Sequence, residues 1–172
     1  MKMKQANSKS DTLLVLCSAS FGGPTTSALN LLYLFSKQGK AIDIFLMDHG
    51  EIRTADFAEL GNLLPPIPML RDAITNKKNL KTPLQFLRRL RYILSYKIFG
   101  VERARQMLYE KSARKLSGKY KNVIAYQEGI TSDFASNIDA PNRIGWMHTD
   151  YDKLCEYSRY YGSHSIYDKY HH

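Results

Sequence analysis

Short segments rich in apolar residues alternate along this chain with longer segments in which apolar residues recur every three or four positions. Short, largely apolar segments of this kind are typical of strands buried on both faces of a parallel sheet. They cover residues 12–18, 41–47, 122–126 and 143–147. The periodic segments predict helices at about 24–38, 51–64, 83–99, 102–116 and 131–137. Because strands and helices alternate, the pattern predicts an α/β domain with a mostly parallel sheet.

The first strand, helix and second strand form a βαβ unit, whose crossover is right-handed in nearly every known case. We therefore expect a three-layer Rossmann-like domain over residues 12–170, preceded by a disordered N terminus over residues 1–11. Ligands of such sheets bind at the carboxyl ends of the strands. The polar segments that follow the strands are residues 18–26, 48–50, 128–129 and 148–150.

A pair of glycines, Gly22 and Gly23, stands between the first strand and the helix that Pro24 opens. Glycines there let the backbone approach a ligand closely, and a helix N terminus presents free N–H groups to a phosphate. The alternative is that the glycines only form a tight turn. The G-x-G-x-x-G pattern of dinucleotide-binding loops is not matched, although Asp48 stands where a ribose-binding acid would.

Two side chains with acid–base chemistry follow later strands. His148 comes directly after the strand at 143–147, where it is placed to bind a ligand hydroxyl or to move a proton. Glu128 has the equivalent place after the strand at 122–126. The alternatives are a histidine that packs against the backbone and a solvated loop carboxylate. The histidines and cysteines are too scattered for a metal site, so we expect no metal.

Charge is concentrated in one region. The chain has 25 basic and 16 acidic residues, and 15 basic but only three acidic residues lie within 71–121, a local net charge of +12. The rest of the chain carries −3. Such a region meets something anionic, be it nucleic acid, phosphate or an acidic membrane surface.

The helix at 83–99 is amphipathic. We expect its apolar face, which includes Phe86, Leu90 and Leu94, to pack on the sheet. The opposite face would then be free to lie on an anionic membrane. Its membrane-facing candidates are Arg88, Arg89, Tyr92 and Tyr96.

No apolar run approaches the length of a membrane span. The two cysteines, Cys17 and Cys155, give no disulfide framework, which indicates a cytoplasmic protein with reduced thiols.

Three stretches, taken in order, resemble glycosyltransferase family 4, the group 1 family. The first is Ser20-Phe-Gly-Gly-Pro-Thr-Thr-Ser-Ala-Leu-Asn-Leu-Leu32. The second is Tyr120-Lys-Asn-Val-Ile-Ala-Tyr-Gln-Glu-Gly129, and the third is Arg143-Ile-Gly-Trp-Met-His-Thr-Asp150. Together they span about residues 12–152.

The resemblance implies the N-terminal, acceptor-side half of a GT-B fold, whose donor-binding half is absent from this chain. It implies transfer of a sugar from a nucleotide-sugar to a glycan or lipid-linked acceptor, in the synthesis of cell-surface polysaccharide or lipopolysaccharide. The nucleotide-sugar is a substrate, and no cofactor or metal is expected. The fragment alone should not transfer sugar. Work on lipid-linked acceptors implies a peripheral location at the inner membrane face.

Specific residues take roles from the same resemblance. Gly22 and Gly23 would lie over the phosphates of the donor when the cleft closes. His148 would be the catalytic residue, beside the transferred sugar and the acceptor hydroxyl. The implied acceptor-binding residues are Glu128, Thr149 and Asp150.

Two other classes stay open. One is a nicotinamide- or flavin-binding Rossmann module, against which the departure from G-x-G-x-x-G argues. The other is a basic nucleic-acid-binding domain, but the basic segment has few stacking aromatics beyond Tyr92, Tyr96 and Phe99. We therefore predict no nucleic-acid partner.

Overall fold

The computed structural model describes residues 10–20, 22–48, 53–74 and 80–148. Its strands are β1 (Thr12–Ser18), β2 (Asp43–Asp48), β3 (Asn62–Leu63), β4 (Asn122–Ala125) and β5 (Asn142–Gly145). Its helices are α1 (Gly23–Lys37), α2 (Thr54–Leu60), α3 (Pro68–Ile74), α4 (Pro83–Phe99), α5 (Val101–Ala113) and α6 (Ile130–Ala135).

The five strands form one sheet in the order β3-β2-β1-β4-β5, and every pairing is parallel. At the centre, Leu14 of β1 pairs with Ile44 of β2 on one side and with Ile124 of β4 on the other. This is the strand order of Rossmann-like folds, which confirms the predicted α/β class. The order reverses between β1 and β4, the position where such sheets open a crevice.

Helices cover both faces of the sheet. Leu13 and Val15 point into one cluster, which also holds buried residues of α3, α5 and α6. Leu14 and Leu16 point into the other, together with buried residues of α1 and α2. The side chains of β1 therefore fill two cores by simple alternation, and the predicted three layers are confirmed.

The segment between β2 and α4 differs from the sequence prediction. The helix expected at 51–64 is the shorter α2, and it is followed by the two-residue edge strand β3. The proline-rich stretch after β3 leads into α3, which was not predicted. Pro68 is the first residue of α3, where a proline costs no hydrogen bond.

The last described strand is less buried than its apolar sequence suggested. β5 is an edge strand, and Ile144 and the following Trp146 are both nearly half exposed. The prediction of a buried strand at 143–147 is wrong because only β4 flanks it among the described residues.

Ser10 and Asp11 belong to the segment expected to be disordered, yet both contact the sheet. The Asp43 N–H of β2 donates to the Ser10 hydroxyl oxygen at 3.2 Å, and the Asn122 N–H of β4 donates to the Asp11 carbonyl oxygen at 3.0 Å. Ordered backbone thus begins before Thr12.

Helix α4 has the predicted bounds but the opposite orientation. It packs on α3 and α5 outside the three layers, and none of its residues is buried. Arg88 and Arg89 face inward: Arg88 pairs with Asp72 of α3 at 2.9 Å, and Arg89 donates to the Ala73 carbonyl. Tyr92 packs against the core beneath, and burial raises the pKa of its hydroxyl.

The expectation that the apolar face of this helix covers the sheet is therefore wrong, as is the membrane-facing role of Arg88, Arg89 and Tyr92. The reason is that Arg88 pairs with the buried Asp72 carboxylate of α3, while Arg89 donates to the Ala73 carbonyl of the same helix. Tyr96 stays exposed. No helix in the described part of the chain has the length and apolar character that crossing a bilayer requires.

The Asp72 carboxylate is buried and accepts from both Arg71 and Arg88. Asp72→Asn should lower the free energy of unfolding by about 2 kcal/mol, because hydrogen bonds between charged groups contribute roughly 1.5–3 kcal/mol. Asp56→Asn is the matched control, since its half-exposed carboxylate pairs with Arg53 at the surface. That change should cost less than about 1 kcal/mol. Urea unfolding measures both, and equal losses would contradict the account.

Candidate functional site

The candidate site lies at the carboxyl edge of the sheet, where β1 and β4 diverge. A side-chain amide bridges the two strand ends: the Cys17 N–H donates to Gln127 Oε1 at 3.0 Å. On the β1 side, the hydroxyls of Ser18 and Ser20 are hydrogen-bonded to each other at 3.0 Å. Polar groups therefore line the point of divergence, as the switch-point rule leads one to expect.

Tyr126 connects the elements around this point. Its side chain is almost fully buried, and its hydroxyl is hydrogen-bonded to that of Ser27 in α1 at 2.8 Å. Its ring lies 5.0 Å from the His148 ring and 5.2 Å from the Trp146 ring, measured between centroids. One aromatic side chain thus links the start of α1 to the segment that follows β5.

The contacts of the His148 ring fix the tautomer of its neutral form. Its Nε2 lies 2.9 Å from the Tyr126 carbonyl oxygen, which only accepts hydrogen bonds, so Nε2 carries the proton. Nδ1 then keeps its lone pair, and it has no partner among the residues that the structure describes. An exposed imidazole in this tautomer accepts a hydrogen bond from a ligand hydroxyl or takes its proton.

Glu128 lies beside this histidine. One of its carboxylate oxygens accepts the backbone N–H of His148 at 3.2 Å. The Glu128 side chain therefore holds the backbone turn that carries His148. A carboxylate and an imidazole at adjacent strand ends are suited to binding a polyhydroxylated ligand.

The glycine pair at the start of α1 is not explained by a tight turn. Gly22 is extended, with φ of 161°, and Gly23 is the first helical residue. A Cβ at Gly23 would meet open space. Among the described residues, the backbone N–H groups of Gly23 and Thr25 make no hydrogen bond, and Pro24 has none to offer. Thr25 is buried, but the N–H of exposed Gly23 faces open space at a helix N terminus, which suits an anion.

Four of the predicted site residues lie along one edge of the sheet: Gly22, Gly23, Glu128 and His148. Thr149 and Asp150 lie outside the described residues. Three residues were missed by sequence reasoning: Ser27, Tyr126 and Gln127. The signals for Tyr126 and Gln127 were their place at the end of the strand run at 122–126, next to Glu128, and their position within the second stretch that resembles the glycosyltransferase family.

Cys17 stands at the end of β1 but is not an activated nucleophile. Burial raises the pKa of its thiol, and the nearby Asp48 carboxylate raises it further. The side chain therefore stays a neutral thiol at physiological pH. The contribution of Cys17 to the site is its backbone N–H, which donates to the Gln127 side chain and so connects the ends of β1 and β4.

Over the described ranges, no three His, Cys, Asp or Glu side chains come together in a way that would hold a metal ion. A shallow open depression lies at the opposite edge of the sheet, around Ser10, Gly39 and Lys40. None of the predicted site residues lines it.

Comparisons of the chain with protein-family models, with curated proteins and with solved structures found no match. The residues themselves therefore carry the functional argument.

The hydrogen bond between Ser27 and Tyr126 should be measurable in a double-mutant cycle. We expect Ser27→Ala and Tyr126→Phe to show a coupling of about 1 kcal/mol in the free energy of unfolding, the usual net contribution of a hydrogen bond. The two hydroxyls are remote in sequence, so no local effect explains such coupling. Strictly additive losses would show that the two hydroxyls do not interact.

Proposed function

We propose that this chain is the acceptor-side domain of a glycosyltransferase of the GT-B type, which moves a sugar from a nucleotide-sugar to a glycan or lipid-linked acceptor. The observation that carries the proposal is the linkage through Tyr126. This residue contacts Ser27 of α1, which the glycine pair opens, and it contacts His148, whose backbone N–H in turn donates to Glu128. In the proposal, the N terminus of α1 binds a phosphate and His148 binds a sugar hydroxyl on the same edge of the sheet.

His148 suits the sugar side of this reaction. Its Nε2–H is engaged by the Tyr126 carbonyl, so the ring is held with Nδ1 available. In the proposal, Nδ1 accepts the hydrogen of a sugar hydroxyl beside the reacting carbon. The Glu128 carboxylate contributes to acceptor binding as it fixes the backbone of His148. Thr149 and Asp150 complete the acceptor-binding set in the proposal.

Gly22 and Gly23 suit the leaving-group side. When the bond between the sugar and the nucleoside diphosphate breaks, negative charge develops on the diphosphate. In the proposal, the positive end of the α1 dipole and the free backbone N–H of Gly23 stabilise that charge. A glycine at position 23 leaves room for the phosphate, since a Cβ there would occupy the open space.

A second candidate is a nicotinamide- or flavin-binding module. It is favoured by the strand order and by Asp48 at the carboxyl end of β2, the usual place of a ribose-binding acid. The adjacent glycines argue against it. Titration with NADH, followed by its fluorescence, separates the candidates: saturable micromolar binding would favour the second.

His148→Ala should lower sugar transfer at least about 100-fold, the lower end of what a positioned acid–base group contributes. The assay is nucleoside diphosphate release from UDP-, GDP- and ADP-sugars by the product of the complete reading frame that contains this chain. Asn142→Ala is the matched control: it changes an exposed residue at the other end of β5 and should leave turnover within about twofold. The proposal fails if His148→Ala turns over like the wild type.

Gly23→Ala separates the function of the glycine from its structural effect. The variant should unfold with a free energy within about 0.5 kcal/mol of the wild type, because the added methyl meets nothing. Its turnover should nonetheless fall about tenfold or more, since the methyl crowds the diphosphate.

Gly61→Ala is the contrasting variant, because its Cβ would lie 2.5 Å from Ile44 Cδ1 and 2.9 Å from the Ile42 carbonyl oxygen. It should lose about 1–3 kcal/mol of stability by overpacking.

Full activity in Gly23→Ala would contradict the proposed role of Gly23 in phosphate binding.

A further inference from the structure

The outward face of α4 is apolar, the reverse of an ordinary surface helix. Its large apolar side chains are between 39% and 70% exposed, so the described residues bury none of them. They are Leu84, Phe86, Leu87, Leu90, Ile93, Leu94 and Ile98. A contiguous apolar stripe of this kind on a soluble domain marks an interaction site.

Contacts on the inward side of α4 fix the orientation of its outward face. Arg88 is held by the buried Asp72 carboxylate, and Tyr92 packs into the core cluster between α3 and α5. A capping box between Thr82 and Gln85 secures the first turn of the helix. The helix therefore cannot roll its apolar side inward without unpairing a buried charge.

The apolar stripe is edged by positive charge. Arg91 and Lys97 are exposed and, at 100° per residue, fall within the outward arc of α4. The helix contains no acidic residue. Arg103 and Lys111 of α5 and Arg114 at its C-terminal end are exposed as well, whereas Glu102 is already paired with Arg105.

We propose that the outward face of α4 binds an anionic lipid bilayer, with the apolar side chains among the acyl chains and with Arg91 and Lys97 at the headgroups. Apolar residues edged by Lys and Arg are the composition of helices that lie in the membrane interface. A second copy of the chain is the poorer occupant, because it would bring the same uncompensated cations together. The proposal rests on α4 alone and does not depend on sugar transfer at the sheet edge.

The test is co-sedimentation of the 172-residue chain with vesicles of phosphatidylcholine alone or with 30% phosphatidylglycerol, the latter an experimental choice of about one anionic lipid in three. We expect binding to the anionic vesicles that weakens steeply with salt. Leu90→Glu/Leu94→Glu should lower the affinity at least about tenfold. Leu34→Glu, on the similarly exposed Leu34 of α1, is the matched control and should bind like the wild type.

The double variant Arg91→Gln/Lys97→Gln tests the contribution of the two charges apart from that of the apolar side chains. Each interfacial cation contributes about fivefold in affinity, so the pair should cost about 25-fold on anionic vesicles. All exchanged side chains are exposed, and unchanged far-UV circular dichroism verifies that the variants fold.

Three results would overturn the proposal. The first is a wild-type chain that does not sediment with anionic vesicles. The second is unchanged binding by Leu90→Glu/Leu94→Glu or by Arg91→Gln/Lys97→Gln. The third is a lipid-free dimer, seen by light scattering, that Leu90→Glu/Leu94→Glu converts to monomer, because it would assign the face to a second copy.

Discussion

Parallel pairing of β1 with a neighbour on each side is the constraint on which the rest of this structure depends. Its alternating side chains fill two separate cores, so helices must cover both faces of the sheet, α1 and α2 on one and α3, α5 and α6 on the other. At its carboxyl end the chain leaves toward α1, whereas the chain leaving β4 turns the other way. The backbone therefore parts at this point, and polar groups occupy the gap.

Tyr126 links the elements on the two sides of that gap. It belongs to the core by burial, yet its hydroxyl contacts Ser27 of α1, and its carbonyl oxygen and ring both contact His148. Through it the orientation of α1 and the tautomer of His148 become parts of one arrangement. The proposed chemistry needs this coupling, because the group that binds the leaving diphosphate and the group that binds the sugar hydroxyl must lie at a fixed distance from each other.

Sequence periodicity was sufficient for the architecture and for the strand ends. It predicted the parallel sheet, most of the helices and the positions of Gly23, Glu128 and His148 at the strand ends, because burial on a parallel sheet imposes a strong local pattern. It failed for α4, whose bounds were predicted correctly and whose orientation was not. The orientation depends on Asp72, which lies in α3, a helix that the proline-rich sequence concealed. Tyr126 was missed for a related reason: an aromatic residue ending an apolar run looks like core until its partners are known.

The most direct measurement for the central claim is a titration with UDP-, GDP- and ADP-sugars of the isotopically labelled product of the complete reading frame that contains this chain, followed by NMR of the backbone amides and of the histidine ring nitrogens. The account predicts that the amides of Gly23 and Glu128 shift together with His148 Nδ1, and that Nε2 of His148 is protonated in the free protein. Shifts confined to the opposite edge, around Gly39 and Lys40, or a His148 protonated at Nδ1 instead, would contradict it.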